Sequence, residues 1–179
     1  ILALKAAREV ITEPTIASFL GVRQRSYHYT AETRMEFVPA TGEEAGLVIL
    51  QSERASVRFV VTQENGKSAL CVVSYGDRLN GGRMQEDATE NAVVLAKILL
   101  PPDSAGITLK IMQEGQQLSF WYAPQDKGFT KLPVTVDARF LSTEAAGGFV
   151  GNTIGMYASA NHAESENYAQ FDYFAGTDL

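Results

Sequence analysis

HYTAETRMEFV, residues His28–Val38, alternates without a fault: Tyr29, Ala31, Thr33, Met35 and Phe37 share one parity, and His28, Thr30, Glu32, Arg34 and Glu36 the other. A period of two, with charge on one side and bulk on the other, marks a half-buried strand of an antiparallel sheet. Working outward, the same signature recurs. Val57, Phe59 and Val61 alternate with Arg58, Val60 and Thr62, and Asn65-Gly66 then suits the positive φ angles of a tight hairpin before Ala69–Tyr75 returns. Ile107, Leu109 and Ile111, a turn at Glu114-Gly115, and Leu118, Phe120 and Tyr122 make a second hairpin. Gly46–Gln51 is nearly all apolar and reads as a central strand, and Ala92–Leu100 as another, closed by Pro101-Pro102. Pro133 confines Lys131–Val136 to a sheet edge, because proline has no N–H to give a ladder. Strands are further expected within Ile1–Ala6, Ala17–Val22, Asn152–Ser159 and Tyr168–Phe174, and a long polar loop over 76–90. Many short strands, turn signals between them and no long helix predict an all-β, antiparallel two-sheet sandwich in a single domain.

Composition limits what such a sandwich can do. Of 179 residues, 45% are hydrophobic and 20% charged, which is enough to build a packed core. The formal net charge of -6 leaves no basic stripe, so a nucleic-acid partner is not expected. No apolar run reaches the roughly 18 residues a membrane-spanning helix needs. Cys71, the single cysteine, lies in an apolar run where a buried thiol is expected. Its lack of a partner favours a reducing, cytoplasmic compartment over a secreted one.

Catalytic patterns are sparse. His28 and His162 are the only histidines and have no cysteine pair to make a zinc site. No GxSxG elbow and no phosphate-cradling glycine loop is present. Glu43 and Glu44 are adjacent, and Glu86, Asp87 and Glu90 share a polar loop. Neither set is the pair of facing carboxylates that glycoside hydrolysis requires. Asp172 shares strand parity with Gln170 and Phe174 in a run that reads as buried. It is therefore either satisfied by backbone amides or a ligand to a structural calcium. Trp121, Tyr122, Phe129 and Tyr157 are rings able to stack on sugar faces, Trp121 and Tyr157 foremost, although most rings in a sandwich are core. Finally, Gly147-Gly148-Phe149-Val150-Gly151 sets a large ring among glycines, where the chain can approach a partner closely.

Four stretches together carry a resemblance: RQRSYHYTAETRMEF (Arg23–Phe37), EEAGLVILQSE (Glu43–Glu53), FLSTEAAGGFVGNTIGMYASAN (Phe140–Asn161) and NYAQFDYF (Asn167–Phe174). In this order they resemble the C-terminal β-sandwich domain of glycoside hydrolase family 43 β-xylosidases and α-arabinofuranosidases. The resemblance implies a concanavalin A-like jelly roll attached behind a five-bladed β-propeller that carries the catalytic acids. This chain would then be non-catalytic, with no cofactor required. Its partners would be the propeller of the same polypeptide, a xylo-oligosaccharide or arabinoside held by that propeller, and a second copy in a homo-oligomer. The resemblance further implies that Phe149, flanked by Gly148 and Gly151, helps close the propeller's sugar pocket. Val150 stands where the family pattern looks like GGFTG, so a hydroxyl is missing there. The tryptophan-containing lead-in and RPG-like turn of the family pattern are absent before Ile1, which implies a chain cut from a larger enzyme. The alternative reading is a carbohydrate-binding module or lectin-like sandwich.

Overall fold

The computed structural model describes residues 1–76, 79–80, 83–84, 92–125, 127–141 and 151–179. Among the described residues, fourteen strands run in chain order: β1 (Leu2–Lys5), β2 (Ser18–Arg23), β3 (His28–Glu36), β4 (Glu44–Ser52), β5 (Ala55–Glu64), β6 (Lys67–Tyr75), β7 (Leu79–Asn80), β8 (Arg83–Met84), β9 (Ala92–Leu99), β10 (Gly106–Glu114), β11 (Gln117–Pro124), β12 (Thr130–Asp137), β13 (Thr153–Ser159) and β14 (Tyr168–Asp178). A short 3₁₀ turn, Ala138–Leu141, follows β12. Two six-stranded antiparallel sheets face each other, in the orders β1-β14-β3-β10-β11-β12 and β2-β13-β4-β5-β6-β9. We call them sheets A and B. The expected sandwich is the observed architecture. The loop expected over 76–90 carries the small β7–β8 pair within it.

The alternation of β3 is realised side chain by side chain. Tyr29, Ala31, Thr33, Met35 and Phe37 are buried, and they meet Leu47, Ile49, Val57, Phe59, Leu70 and Val72 from sheet B in one continuous core. Phe59 and Phe120 lock the two sheets edge to face, with ring centroids 5.3 Å apart. Strands β4–β6 read as nearly continuous apolar runs because both of their faces are covered. The inner face meets sheet A, and the outer face carries a second cluster of Ile11, Val48, Val60 and Tyr157. At the β5–β6 turn Asn65 and Gly66 take φ of 50° and 76°, as the hairpin signal requires. Pro133 lies on β12 at the edge of sheet A, in the interval where the β11–β12 register shifts.

One reading is corrected here. The β14–β3 ladder shifts register between Phe171 and Tyr173, so Asp172 is the extra residue of a β-bulge. Phe171 and Phe174, three apart, therefore both reach the core, while Gln170 and Asp172 face solvent. The shared face expected for Gln170, Asp172 and Phe174 does not exist. The buried Thr33 hydroxyl donates to the Tyr173 carbonyl at 2.6 Å and helps hold the bulge.

Candidate functional site

The glycine-rich stretch connects described residues that belong to the two different sheets. On one side of it the 3₁₀ turn after β12 buries Phe140 and Leu141 in the core, and on the other Gly151 leads into β13, the neighbour of the edge strand β2 in sheet B. Gly148 and Phe149 lie outside the described residues, whereas Gly151 is exposed. Its neighbour Asn152 fixes the loop's root: the Gln24 N–H donates to the Asn152 carbonyl at 2.9 Å, and Asn152 Nδ2 donates to Gln24 Oε1 at 3.2 Å. Gln24 Nε2 donates in turn to Gln113 Oε1 at 3.1 Å, which ties this root to the β10–β11 end of sheet A.

An apolar edge runs up to that root. On β2, Leu20 and Val22 pair with Met156 and Ile154 of β13, whose side chains lie in the core. Directly paired residues point to the same face of a sheet, so Leu20 and Val22 face inward too. They are nevertheless 53% and 52% exposed, on the edge strand of sheet B. Ile16, just before β2, is 95% exposed. Val94 and Leu99 add exposed apolar surface on β9 at the opposite edge of sheet B.

Glu86, Asp87 and Glu90 lie outside the described residues, whereas Glu43 and Glu44 are engaged structurally. Glu43, only 5% exposed, accepts from the Ala40 N–H at 2.8 Å, from Asn167 Nδ2 at 2.7 Å and from the Ser165 hydroxyl. It clips the β3–β4 turn to the segment entering β14. Burial pushes the Glu43 carboxyl up, but the hydrogen bonds from Asn167, Ser165 and Ala40 together hold it below its ordinary value. Glu44, 6% exposed, lies on the outer face of sheet B and pairs with Arg58 Nη1 at 2.8 Å. Arg58 sits opposite Val48, two residues beyond Gly46 from Glu44, so the guanidinium reaches the carboxylate past a position with no side chain. A Cβ at Gly46 would stand 2.2 Å from the Phe59 carbonyl oxygen. Burial raises the Glu44 carboxyl, and Arg58 offsets only part of that. The two glutamates point away from each other into separate networks. A hollow of about 380 Å³ beside the β11–β12 edge is lined by Gln116, Gln117, Thr135, Asp137 and Arg139, and its one acid is paired with Arg139.

The remaining sequence candidates divide. Tyr157 is corrected: its ring is 0% exposed, packed on Ile11, Val48 and Val60, and its hydroxyl accepts the Ile11 N–H at 3.2 Å. A ring enclosed on all sides has no face for a sugar. Asp172 is half-exposed, and its carboxylate meets Arg34 Nη1 at 2.6 Å, so a guanidinium already supplies the countercharge. No group of three or more His, Cys, Asp or Glu side chains able to hold a metal occurs among the described residues. The residues around Asp172 do not fit a calcium ion. Trp121 stands half-buried on the outer face of sheet A, its indole N–H donating to the Ser119 hydroxyl at 3.1 Å. Beside it lie Lys110, Lys131 and Phe129, which the sequence reading did not connect. The signal for Lys110 was present, since a hairpin turning at Gly115-Gln116 sets Lys110 opposite Trp121.

The comparisons with known proteins agree with this architecture. A family model described as the beta xylosidase C-terminal concanavalin A-like domain matches residues 1–176. The xylosidase/arabinosidase of Butyrivibrio fibrisolvens is 30% identical over 174 residues, covering 97% of this chain and 31% of that protein. The non-reducing end α-L-arabinofuranosidase BoGH43B of Bacteroides ovatus is 27% identical over 97% of this chain and 30% of its own length. Among solved structures, Bacteroides ovatus Xyloglucan PUL GH43B superposes with a TM-score of 0.84 at 28% identity, over 99% of this chain and 32% of that one. The xylan β-1,4-xylosidase of Bacillus halodurans shares the fold at 23% identity, with a TM-score of 0.82 over 97% of this chain and 32% of its own. The chain thus spans about a third of the length of the curated relatives it matches. With the sandwich, the order of its motifs and the span of the family match in agreement, the chain belongs to the C-terminal concanavalin A-like domains of the family 43 β-xylosidases and arabinosidases.

Proposed function

We propose that this domain performs no bond cleavage itself and works by packing against a catalytic β-propeller of the same polypeptide, completing its sugar pocket and assisting oligomerisation. The observation that carries the reading is the uncovered edge of sheet B. Leu20 and Val22 are turned to the inner side of the sandwich yet open to solvent, and they run directly to the root of the glycine loop at Gly151. Inward-facing aliphatic groups left bare at a sheet edge mark a surface that another body covers. The two buried acids among the described residues agree with it, since Glu43 and Glu44 are committed to separate structural networks rather than facing each other across a cleft. Phe149 is assigned to the pocket by the family resemblance. A ring on a loop rooted beside a docking edge could exclude water from a pocket formed by the partner.

The test uses the complete enzyme. Phe149→Ala is expected to lower kcat/KM on an aryl pentoside by up to about a hundredfold, the order of loss for a misplaced substrate, while the melting temperature stays unchanged. Unaltered kinetics would remove Phe149 from the pocket. The 179-residue chain alone is expected to release no nitrophenol from aryl xylosides or arabinosides. Turnover that survives purification would overturn the non-catalytic reading.

A further inference from the structure

The outer face of sheet A carries a cluster that the docking role leaves unused. Trp121 on β11 is flanked across the ladder by Lys110 on β10 and Lys131 on β12. Their ammonium groups lie 5.5 and 5.6 Å from the centroid of the Trp121 ring, and Lys110 Nζ also lies 4.0 Å from the centroid of Phe129, which is 40% exposed. Neither lysine forms an ion pair among the described residues, whereas Lys5, Arg8, Arg58, Lys97 and Arg139 each do. Glu32 is paired with Lys110 across the β3–β10 ladder and is the natural partner by position. Its carboxylate instead accepts the Tyr173 hydroxyl at 2.6 Å. Among the described residues, two cations on an acidic protein are thus held against aromatic faces with no carboxylate paired to them.

We propose that Lys110, Trp121, Phe129 and Lys131 form a binding site for a carboxylated sugar, a uronate in its pyranose form. The indole plate takes the apolar face of the sugar ring, and the two ammonium groups converge on the carboxylate. The contact of an exposed ammonium with an aromatic ring is weak, so either lysine swings off the indole at little cost when a carboxylate arrives. A neutral pentose would leave both charges unanswered, and an acidic peptide would leave the ring face without a partner. The site lies on sheet A, away from the apolar edge of sheet B, and is independent of the pocket-closing role.

Trp121 is the only tryptophan in the chain, so its fluorescence and its indole N–H resonance report on this site alone. The chain is titrated with sodium glucuronate, with a xylo-oligosaccharide bearing one glucuronate branch, with the unbranched oligosaccharide and with oligoglutamate. A saturable response to the two glucuronate ligands is expected, weakening as ionic strength rises from about 0.05 to 0.5 M through screening of exposed charges. Lys110→Met and Lys131→Met keep the aliphatic stems on the ring and remove the charge. Each is expected to weaken binding about three- to fivefold, the usual size of an exposed charge contact. An equal response to the unbranched oligosaccharide would reduce the site to a neutral stacking platform, and an equal response to oligoglutamate would reduce it to charge alone. No saturable response to either glucuronate ligand would end the proposal. The three wild-type comparisons decide it even if a variant fails to fold.

Discussion

Replacing Arg58 by Met should destabilise the domain in a pH-dependent way that identifies electrostatics as the cause. Arg58 and Glu44 lie with side chains 12% and 9% exposed, their ion pair 2.8 Å long. Methionine keeps most of the stem's packing but leaves the Glu44 carboxylate buried beside no cation, and breaking a buried pair from one side costs about 3–5 kcal/mol. Protonation caps the loss. An ordinary glutamic acid, with a pKa of about 4.3, costs about 3.7 kcal/mol to hold protonated at pH 7, and the variant can always take that route. The Glu44 carboxyl is already raised by burial, and removing Arg58 raises it further. A carboxyl raised in the folded state makes folding favour proton uptake. The penalty is therefore small below the unfolded value, grows as pH rises and levels off above the folded value. Urea denaturation at pH 4.5, 6 and 7.5 should show the gap between wild type and Arg58→Met widening to about 3 kcal/mol at the highest pH. Adding Glu44→Gln should recover most of the loss, because the uncompensated charge is gone. A gap constant across this range, or a double variant no better than the single one, would show that Arg58 acts through packing alone.

Two further substitutions test the corrected residues. Tyr157→Phe should cost about 1–3 kcal/mol by leaving the buried Ile11 N–H without its acceptor, read by denaturation; a change under about 0.5 kcal/mol would mean that water replaces the hydroxyl there. Asp172→Asn should shift stability by less than about 1 kcal/mol, as expected for an exposed pair with Arg34. Neither calcium nor a chelator should move the melting temperature, and a calcium-dependent rise lost in Asp172→Asn would restore the metal reading.

Much of this architecture follows from local pattern. The parity of His28–Val38, the Asn65-Gly66 turn and the edge position forced by Pro133 each follow from constraints acting over a few residues: pleat, φ angle and a missing donor. Lys110 opposite Trp121 was legible as well, once the turn at Gly115 fixed the register. Lys131 beside the same ring was not, because the β11–β12 register shifts within that ladder.

The amino-acid order alone determined that two antiparallel sheets would form and which side of most strands would be dry. The family motifs spread along the chain were legible in it too. Which rings and acids would be enclosed was decided only by tertiary structure. Tyr157 is apolar-facing by parity on either sheet face, and Ile11, folded back over sheet B, helps seal it. Phe174 parted from the side of Gln170 and Asp172 because one extra residue entered β14, an event that strand periodicity cannot register. Glu43 and Glu44 look like surface acids on a turn, and their partners Asn167 and Arg58 come from distant strands and loops. Burial of a polar group is a property of what packs over it, and in a sandwich that cover comes from residues far away in the chain.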